Sequence, residues 1–218
     1  MTTQEYAYQR LRRGLMLGTI APGVALTIRG LSEQLGISPT PVREALRRLG
    51  SENGLTVLEN RRIRVPLMTA ERLQDLVGLR AAVEAHAALS ALPHVSDLVV
   101  DRLDQIDREL DAAVSKGELD SQLQLNQQFH RTLYCTNPET VTMPVVESLW
   151  LQLGPFLRIA GRHIKDLYRV DRHQEALAAL RQRDGDALSA AIRADVFEGV
   201  GCLNPEAVEC LLSDAGDN

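Results

Sequence analysis

The chain has 218 residues, 44% hydrophobic and 24% charged, with a net charge of −5, a balance that excludes disordered and fibrous classes. The length holds one large domain or two modest ones. No apolar run reaches the ~20 residues of a membrane span, and the opening MTTQEYAYQRLRR lacks a secretion signal's apolar core.

Three cysteines, Cys135, Cys202 and Cys210, have neither paired metal spacing nor the even count of a disulfide scaffold. A reducing cytoplasm is the expected compartment. Charge is divided unevenly along the chain. Residues 1–66 hold ten Arg against five Glu, for +5, whereas 67–218 hold fourteen basic and twenty-four acidic side chains, for −10. The asymmetry suggests a nucleic-acid-facing domain at 1–66 joined to a domain at 67–218 that avoids phosphate. A chance solvated face is the alternative on charge alone. Every cation of the first segment is Arg, whose planar fork suits phosphates and guanine edges.

In chain order, residues 8–17 read as a helix with Leu11 and Leu15 at i,i+4, ended by Gly18 and the Ala21-Pro22-Gly23 turn. Leu31 and Leu35 mark a short second helix, Gly36 its C-cap, and Ile37 plugs the core. Ser38 is placed to cap a third helix, with Pro41 in its first turn and Val42, Ala45, Leu46 and Leu49 as its buried stripe. Two helices joined by a short glycine-containing turn make a helix-turn-helix. LTVLENRRIRVP follows, with Val57, Ile63 and Val65 around an Asn60-Arg61 turn, which reads as a two-stranded wing.

From Thr69 onward the pattern is helical. Helices are expected over 69–92, 96–116, 118–135, 138–164 with a bend near Gly154-Pro155, 166–183 and 185–203, an all-α bundle of six to seven helices. The fold class is thus mostly α, a winged helix-turn-helix followed by a helical bundle.

The first third closely resembles the GntR family of bacterial regulators. "APG" at 21–23, "LSEQLGIS" at 31–38, "TPVREALRRL" at 40–49, "GL" at 54–55 and the basic wing carry the likeness. A recognition helix of this type lies in the major groove, so Thr40, Arg43 and Arg47, with Arg48 farther along, are candidates for DNA contact. Wing residues Arg61, Arg62 and Arg64 would approach the backbone or minor groove, and the resemblance adds Arg29. Solvated surface charge is the alternative for Arg47 or Arg48. Two departures stand out. Pro39 occupies a place where the family usually has Arg, and the wing has Arg62 where Gly is usual with an extra residue around Asn53; both imply a different operator sequence.

Several polar residues fall on apolar helix faces, which is unfavourable unless they pair with each other or with an ion. They are Asn126 and His130 beside Leu119, Leu123 and Leu133; His173 beside Val170, Leu177 and Leu180; and Asp195 beside Leu188 and Ile192. Arg80 and Glu84 likewise share a face with Leu73, Val77, Val83 and Ala87.

This part resembles the FCD ligand-binding domain of FadR-like GntR regulators. "DLVGLRAAVEAHAA" at 75–88, "NQQFHRTLYCTN" at 126–137 and "RHQEALAALRQRD" and "AAIRAD" within 172–195 carry the likeness. Many such domains bind a divalent metal through one Asp and three His. Those positions fall here on Asn126, His130, His173 and Asp195, so the carboxylate has moved to another helix. The set implies a site for zinc, nickel or manganese, with a hydrogen-bonded cluster without an ion as the alternative. By the same resemblance Arg80 would hold a carboxylate effector, or simply pair with Glu84. Arg158, Arg162 and His163 are further candidates for that cavity.

The expected function is a homodimeric, sequence-specific DNA-binding regulator, not an enzyme, answering to a small organic acid. The alternatives are a C-terminal domain that only dimerises and a metal-dependent helical enzyme.

Overall fold

The computed structural model describes residues 1–58, 62–163, 172–198 and 205–214. The first helix, α1 (Thr3–Met16), starts five residues before its expected place because Thr2 Oγ1 accepts from Glu5 N–H and supplies the cap. Helix α2 (Ile28–Leu35) is capped by Thr27 and ends at Gly36, whose φ of 65° is the left-handed conformation anticipated for that glycine. Helix α3 (Pro39–Ser51) buries Val42, Ala45, Leu46 and Leu49 as expected. Ser38 occupies its N-cap position but makes no side-chain cap bond. A cap oxygen accepts from the second or third helical N–H, and Pro41 at the third position has none.

The wing is part of a three-stranded sheet, not the two-stranded ribbon that the pattern suggested. Strands β1 (Ala25–Leu26), β2 (Thr56–Val57) and β3 (Ile63–Arg64) lie in the order β1-β3-β2, both pairs antiparallel. Arg64 faces Ala25 on one side and Thr56 on the other. Gly23, at φ 77°, turns the chain so that its N–H reaches Val65 O, and Val65 N–H returns to Val24 O. A two-residue strand has too little alternation to show in the sequence. The expected Asn60-Arg61 turn, and Arg61 with it, lies outside the described residues.

The rest is helical: α4 (Ala70–Ala91), a 3-10 turn at Leu92–His94, α5 (Asp97–Lys116), α6 (Leu119–Tyr134), α7 (Met143–His163), α8 (Arg172–Gln182), α9 (Gly185–Val196) and α10 (Pro205–Asp214). Seven α-helices thus follow residue 67 among the described residues. Thr69, Ser96 and Asp184 cap α4, α5 and α9 through their side chains. Helix α7 begins later than the expected 138 because Asn137 holds a turn: its Oδ1 accepts from Glu139 N–H and its carbonyl from Thr140 N–H. The helix expected over 185–203 is α-helical over Gly185–Val196 and π-helical at 197–198, with 199–203 outside the described residues; α10 opens on a proline, tolerated in a first turn.

Helix α4 packs on α9, α5 on α6, α8 on α9, and α1 on both α3 and α7. One continuous core therefore runs from Leu11, Leu15, Leu46 and Leu49 through Trp150 to Phe129, Leu133, Leu177 and Ile192. A smaller cluster joins Leu73 and Val77 of α4 to Leu153 and Phe156 of α7. Truncating a fully buried leucine such as Leu49 or Leu133 removes about 2–5 kcal/mol.

Candidate functional site

The candidate DNA-reading face lies on α3. With Val42, Ala45, Leu46 and Leu49 facing inward, Thr40, Arg43 and Arg47 recur at i, i+3 and i+7 on the outer face, all exposed. Pro39 is exposed beside them at the first turn. Arg47 Nε lies 3.1 Å from Glu44 Oε2 and its side chain remains 74% exposed. Arg29 opens α2, 91% exposed, with Nε 3.0 Å from Glu33. Arg62 is exposed beside β3, and Arg64 is half-buried within it.

Arg48 differs from its neighbour. Its guanidinium sits 3.6 Å over the Tyr8 ring and pairs with Glu5 at 3.4 Å and Glu52 at 3.2 Å. The Tyr8 hydroxyl donates to Glu52 as well, at 2.8 Å. Arg48 thus fastens α1 to α3.

In the helical domain, His130 of α6, His173 of α8 and Asp195 of α9 converge. Their ligand atoms all lie within 4.8 Å of one another. His130 Nε2 is 3.0 Å from Asp195 Oδ2, and His173 Nε2 is 3.7 Å from Asp195 Oδ1. Both imidazoles are buried, and Phe129 stacks on His173 with ring centroids 3.9 Å apart, nearly parallel. Asn126 stands one turn before His130 on α6, half-buried.

The outer nitrogens fix how the rings are protonated. His173 Nδ1 lies 2.8 Å from Asp107 Oδ1, and a carboxylate only accepts, so Nδ1 carries the hydrogen. Gln174 Nε2 donates to the other Asp107 oxygen at 2.6 Å. His130 Nδ1 lies 2.9 Å from the Tyr134 hydroxyl, which donates to Glu84 Oε2 at 2.8 Å. Burial, then the Glu84 charge, pushes the Tyr134 phenol well above its ordinary value, so it stays protonated. Having given its one hydrogen to Glu84, Tyr134 accepts from His130 Nδ1–H.

With Nδ1 engaged outward, both rings turn Nε2 toward the Asp195 carboxylate. His130 Nε2, although buried, makes no aligned hydrogen bond. Two imidazole nitrogens facing one carboxylate are satisfied by a ring proton or by a cation between them. Burial alone would raise the Asp195 carboxyl; the neighbouring His130, with His173 and Arg80, outweighs it and holds it below the usual range.

Arg80 and Glu84 form the second layer on α4. Glu84 Oε1 accepts from Arg80 Nε at 2.5 Å and from Trp150 Nε1 at 2.8 Å, and the carboxylate is wholly buried. Burial works against the Glu84 charge, but Arg80, His130 and the Trp150 bond lower its pKa overall. For Arg80 burial is likewise overcome by Glu84, which raises its pKa. The expected Arg80–Glu84 ion pair is present.

Arg158 does not join this site. It donates to Leu17 O at 3.3 Å and pairs with Asp120, because its face of α7 looks toward α1. The side chains of Arg162 and His163 lie outside the described residues. Three residues of the cluster escaped the sequence reading: Asp107, Tyr134 and Trp150. Asp107 had a signal, an acid on the apolar stripe of Val100, Leu103 and Leu110; Tyr134 follows His130 at i+4.

Comparison with known proteins places this geometry. Residues 3–65 match the family described as bacterial regulatory proteins, gntR family, and residues 75–196 match the FCD domain. The HTH-type transcriptional regulator McbR of Escherichia coli K12 is 29% identical over 177 residues, 80% of each chain. The HTH-type transcriptional repressor RspR of the same strain is 27% identical over 187 residues, covering 85% of this chain and 82% of its own. Among solved structures, E. coli McbR/YncC superposes with a TM-score of 0.82 at 24% identity, over 99% of both chains. A putative GntR regulator from Rhodococcus sp. RHA1 gives 0.72 at 20% identity, over 98% of this chain and 99% of that one. At these identities the structures establish the fold. The families matched are those of regulators, which removes the enzyme alternative. With the FCD match alone spanning more than half its length, the chain belongs to the GntR family, as a DNA-binding transcriptional regulator with a C-terminal FCD effector-binding domain.

Proposed function

We propose that this regulator acts in the cytoplasm as a homodimer on a near-palindromic operator, residues 1–66 reading DNA and 67–218 binding effector and dimerising. Thr40, Arg43 and Arg47 read base edges, while Arg29, Arg61 and Arg62 grip phosphate or the minor groove. The common exposed face of Thr40, Arg43 and Arg47 supports this assignment. Pro39 supplies no base-reading guanidinium, so the operator departs from that of Arg-bearing relatives. The test is anisotropy of a labelled duplex from the chain's own upstream intergenic region. Sequence-selective binding that weakens steeply with salt is expected; binding indifferent to sequence would overturn it.

The effector is a small organic acid held by Arg80, beside a divalent ion (zinc, nickel or manganese) on His130, His173 and Asp195, with Asn126 as a weaker oxygen donor. The observation that carries this reading is the convergence of two imidazole nitrogens and one carboxylate in a buried space. The donor types suit such an ion: the two ring nitrogens lie 3.0 and 3.7 Å from the two oxygens of Asp195, and the three ligand atoms lie within 4.8 Å of one another. Such an ion would supply positive charge for a carboxylate. The hydrogen bond from Arg80 to Glu84 uses Nε, one of five N–H donors on the guanidinium.

Metal analysis of the purified chain, with thermal shift against divalent ions and a panel of carboxylic acids, tests the site. One ion per chain and a raised Tm are expected, both lost in His130→Ala. Absence of any bound or stabilising ion would leave a purely hydrogen-bonded cluster.

A further inference from the structure

Helix α7 touches both halves of the molecule. Glu147, Leu151, Gly154 and Arg158 recur at i, i+4, i+7 and i+11 and so form one stripe, and each meets the DNA-reading module. Glu147 pairs with Arg12 of α1 at 2.6 Å. Leu151 lies beside Gly54, where an added Cβ would come 3.6 Å from Leu151 Cβ and 3.4 Å from Leu15 Cδ1. Arg158 donates to Leu17 O. Beside the stripe, Ser148 Oγ donates at 2.8 Å to the carbonyl of Glu52, the C-cap of recognition helix α3.

The tightest point is Gly154. A Cβ there would lie 2.3 Å from Leu15 O and 2.5 Å from Met16 O; one on Gly18 would lie 2.4 Å from Gly154 O. Backbone rests on backbone, with no flexible side chain between to absorb a displacement. A shift of α7 here must be followed by the end of α1.

Trp150, one turn before Gly154, faces the sensor instead. It is buried, and its Nε1 shares Glu84 Oε1 with Arg80 Nε. A guanidinium that turns toward an incoming carboxylate changes the charge balance on Glu84 and hence the hold on Trp150. Pro155 follows Gly154 within the helix and offers no N–H to the Leu151 carbonyl, so α7 bends most easily here.

We infer that α7 is the coupling element of this regulator. Trp150 is the positioning residue that ties the helix to the Arg80–Glu84 pair, and the Gly154 stripe carries its position to α1 and to the end of α3. The inference rests on Arg80 being the effector residue. It names the route by which occupancy reaches the DNA face.

Trp150 is the single tryptophan of the chain, so its emission reports the sensor end of α7. The full-length protein is titrated with the labelled upstream duplex while duplex anisotropy and Trp150 emission are recorded together. By reciprocity of coupling, DNA on α3 must disturb the sensor end. The emission is expected to change with the same midpoint as the anisotropy, and Ser148→Ala to lose most of that change while still binding DNA. DNA binding with flat Trp150 emission overturns the coupling. Absence of DNA binding overturns the operator reading and the coupling with it. A second titration uses Zn2+ alone. Zn2+ that alters Trp150 emission without moving the duplex midpoint overturns the coupling and leaves the metal site standing. Zn2+ that alters neither and does not raise the Tm, beside a DNA-linked emission change, overturns the metal site and supports the coupling.

Discussion

Asp107 of α5 accepts from His173 Nδ1 of α8 at 2.8 Å, with both side chains almost completely buried. This bond, with the Phe129 ring stacked on the imidazole, sets the direction of His173 Nε2. Removing an outer carboxylate of this kind typically weakens a metal site 10–100-fold. Asp107→Asn is therefore expected to lower Zn2+ affinity by about that factor, measured by competition with a chromophoric chelator, with the helical circular dichroism unchanged. Equal affinity would show that Asp107 does not position the ring.

Glu84 takes bonds from three different side chains, Arg80, Trp150 and Tyr134. Glu84→Ala leaves the Arg80 cation buried without its partner, which destabilises by about 3–5 kcal/mol. Glu84→Gln keeps an acceptor oxygen and should fall well short of that loss. Urea midpoints of the two variants separate the charge from the shape.

How much of this was legible beforehand differs between the halves. The recognition helix was, because its cap position, prolines and apolar stripe all lie within thirteen residues and specify the same element. His130, His173 and Asp195 stand out in the sequence because polar groups on apolar faces are conspicuous. Their outer partners were not, since Asp107 and Trp150 come from helices whose relative rotation no local pattern encodes. Strand β1 was missed for a different reason: Ala25 and Leu26 become a strand only by pairing with β3. Arg48 shows the same limit. Next to Arg47 in sequence, it differs from it only because α1 brings Tyr8 beneath it.

Gly154→Ala places a Cβ against two carbonyl oxygens that cannot move aside. A loss of about 1–3 kcal/mol is expected, as for other overpacked sites, together with faster proteolysis near residue 66. Gly78 supplies the contrast. It lies within α4 with nothing within 4 Å of an added Cβ, and Gly78→Ala should stabilise by about 0.5–1 kcal/mol. Equal thermal shifts in the two variants would contradict the tight backbone contact.

Tyr8 gives an alkaline signature for the α1–α3 contact. Burial and the bond to Glu52 push its phenol up to about 12, whereas an unfolded tyrosine titrates near pH ~10. A pKa raised by folding contributes stability that is complete below pH ~10 and is lost as pH rises through about 12. Wild-type stability should fall over that window relative to Tyr8→Phe, read from urea midpoints at each pH. Parallel curves would show that the hydroxyl contributes nothing.

The central claim is that occupancy of the His130–His173–Asp195 site with an acid on Arg80 changes the grip on DNA. The most direct measurement is the midpoint of duplex anisotropy with and without divalent ion, across the carboxylic acids that raise the Tm. Couplings between sites typically amount to about 5–150-fold. At least one ion–acid combination should move the midpoint by a factor in that range, and Arg80→Met should abolish the shift. A midpoint that stays fixed while the same ion and acid demonstrably bind would contradict the account.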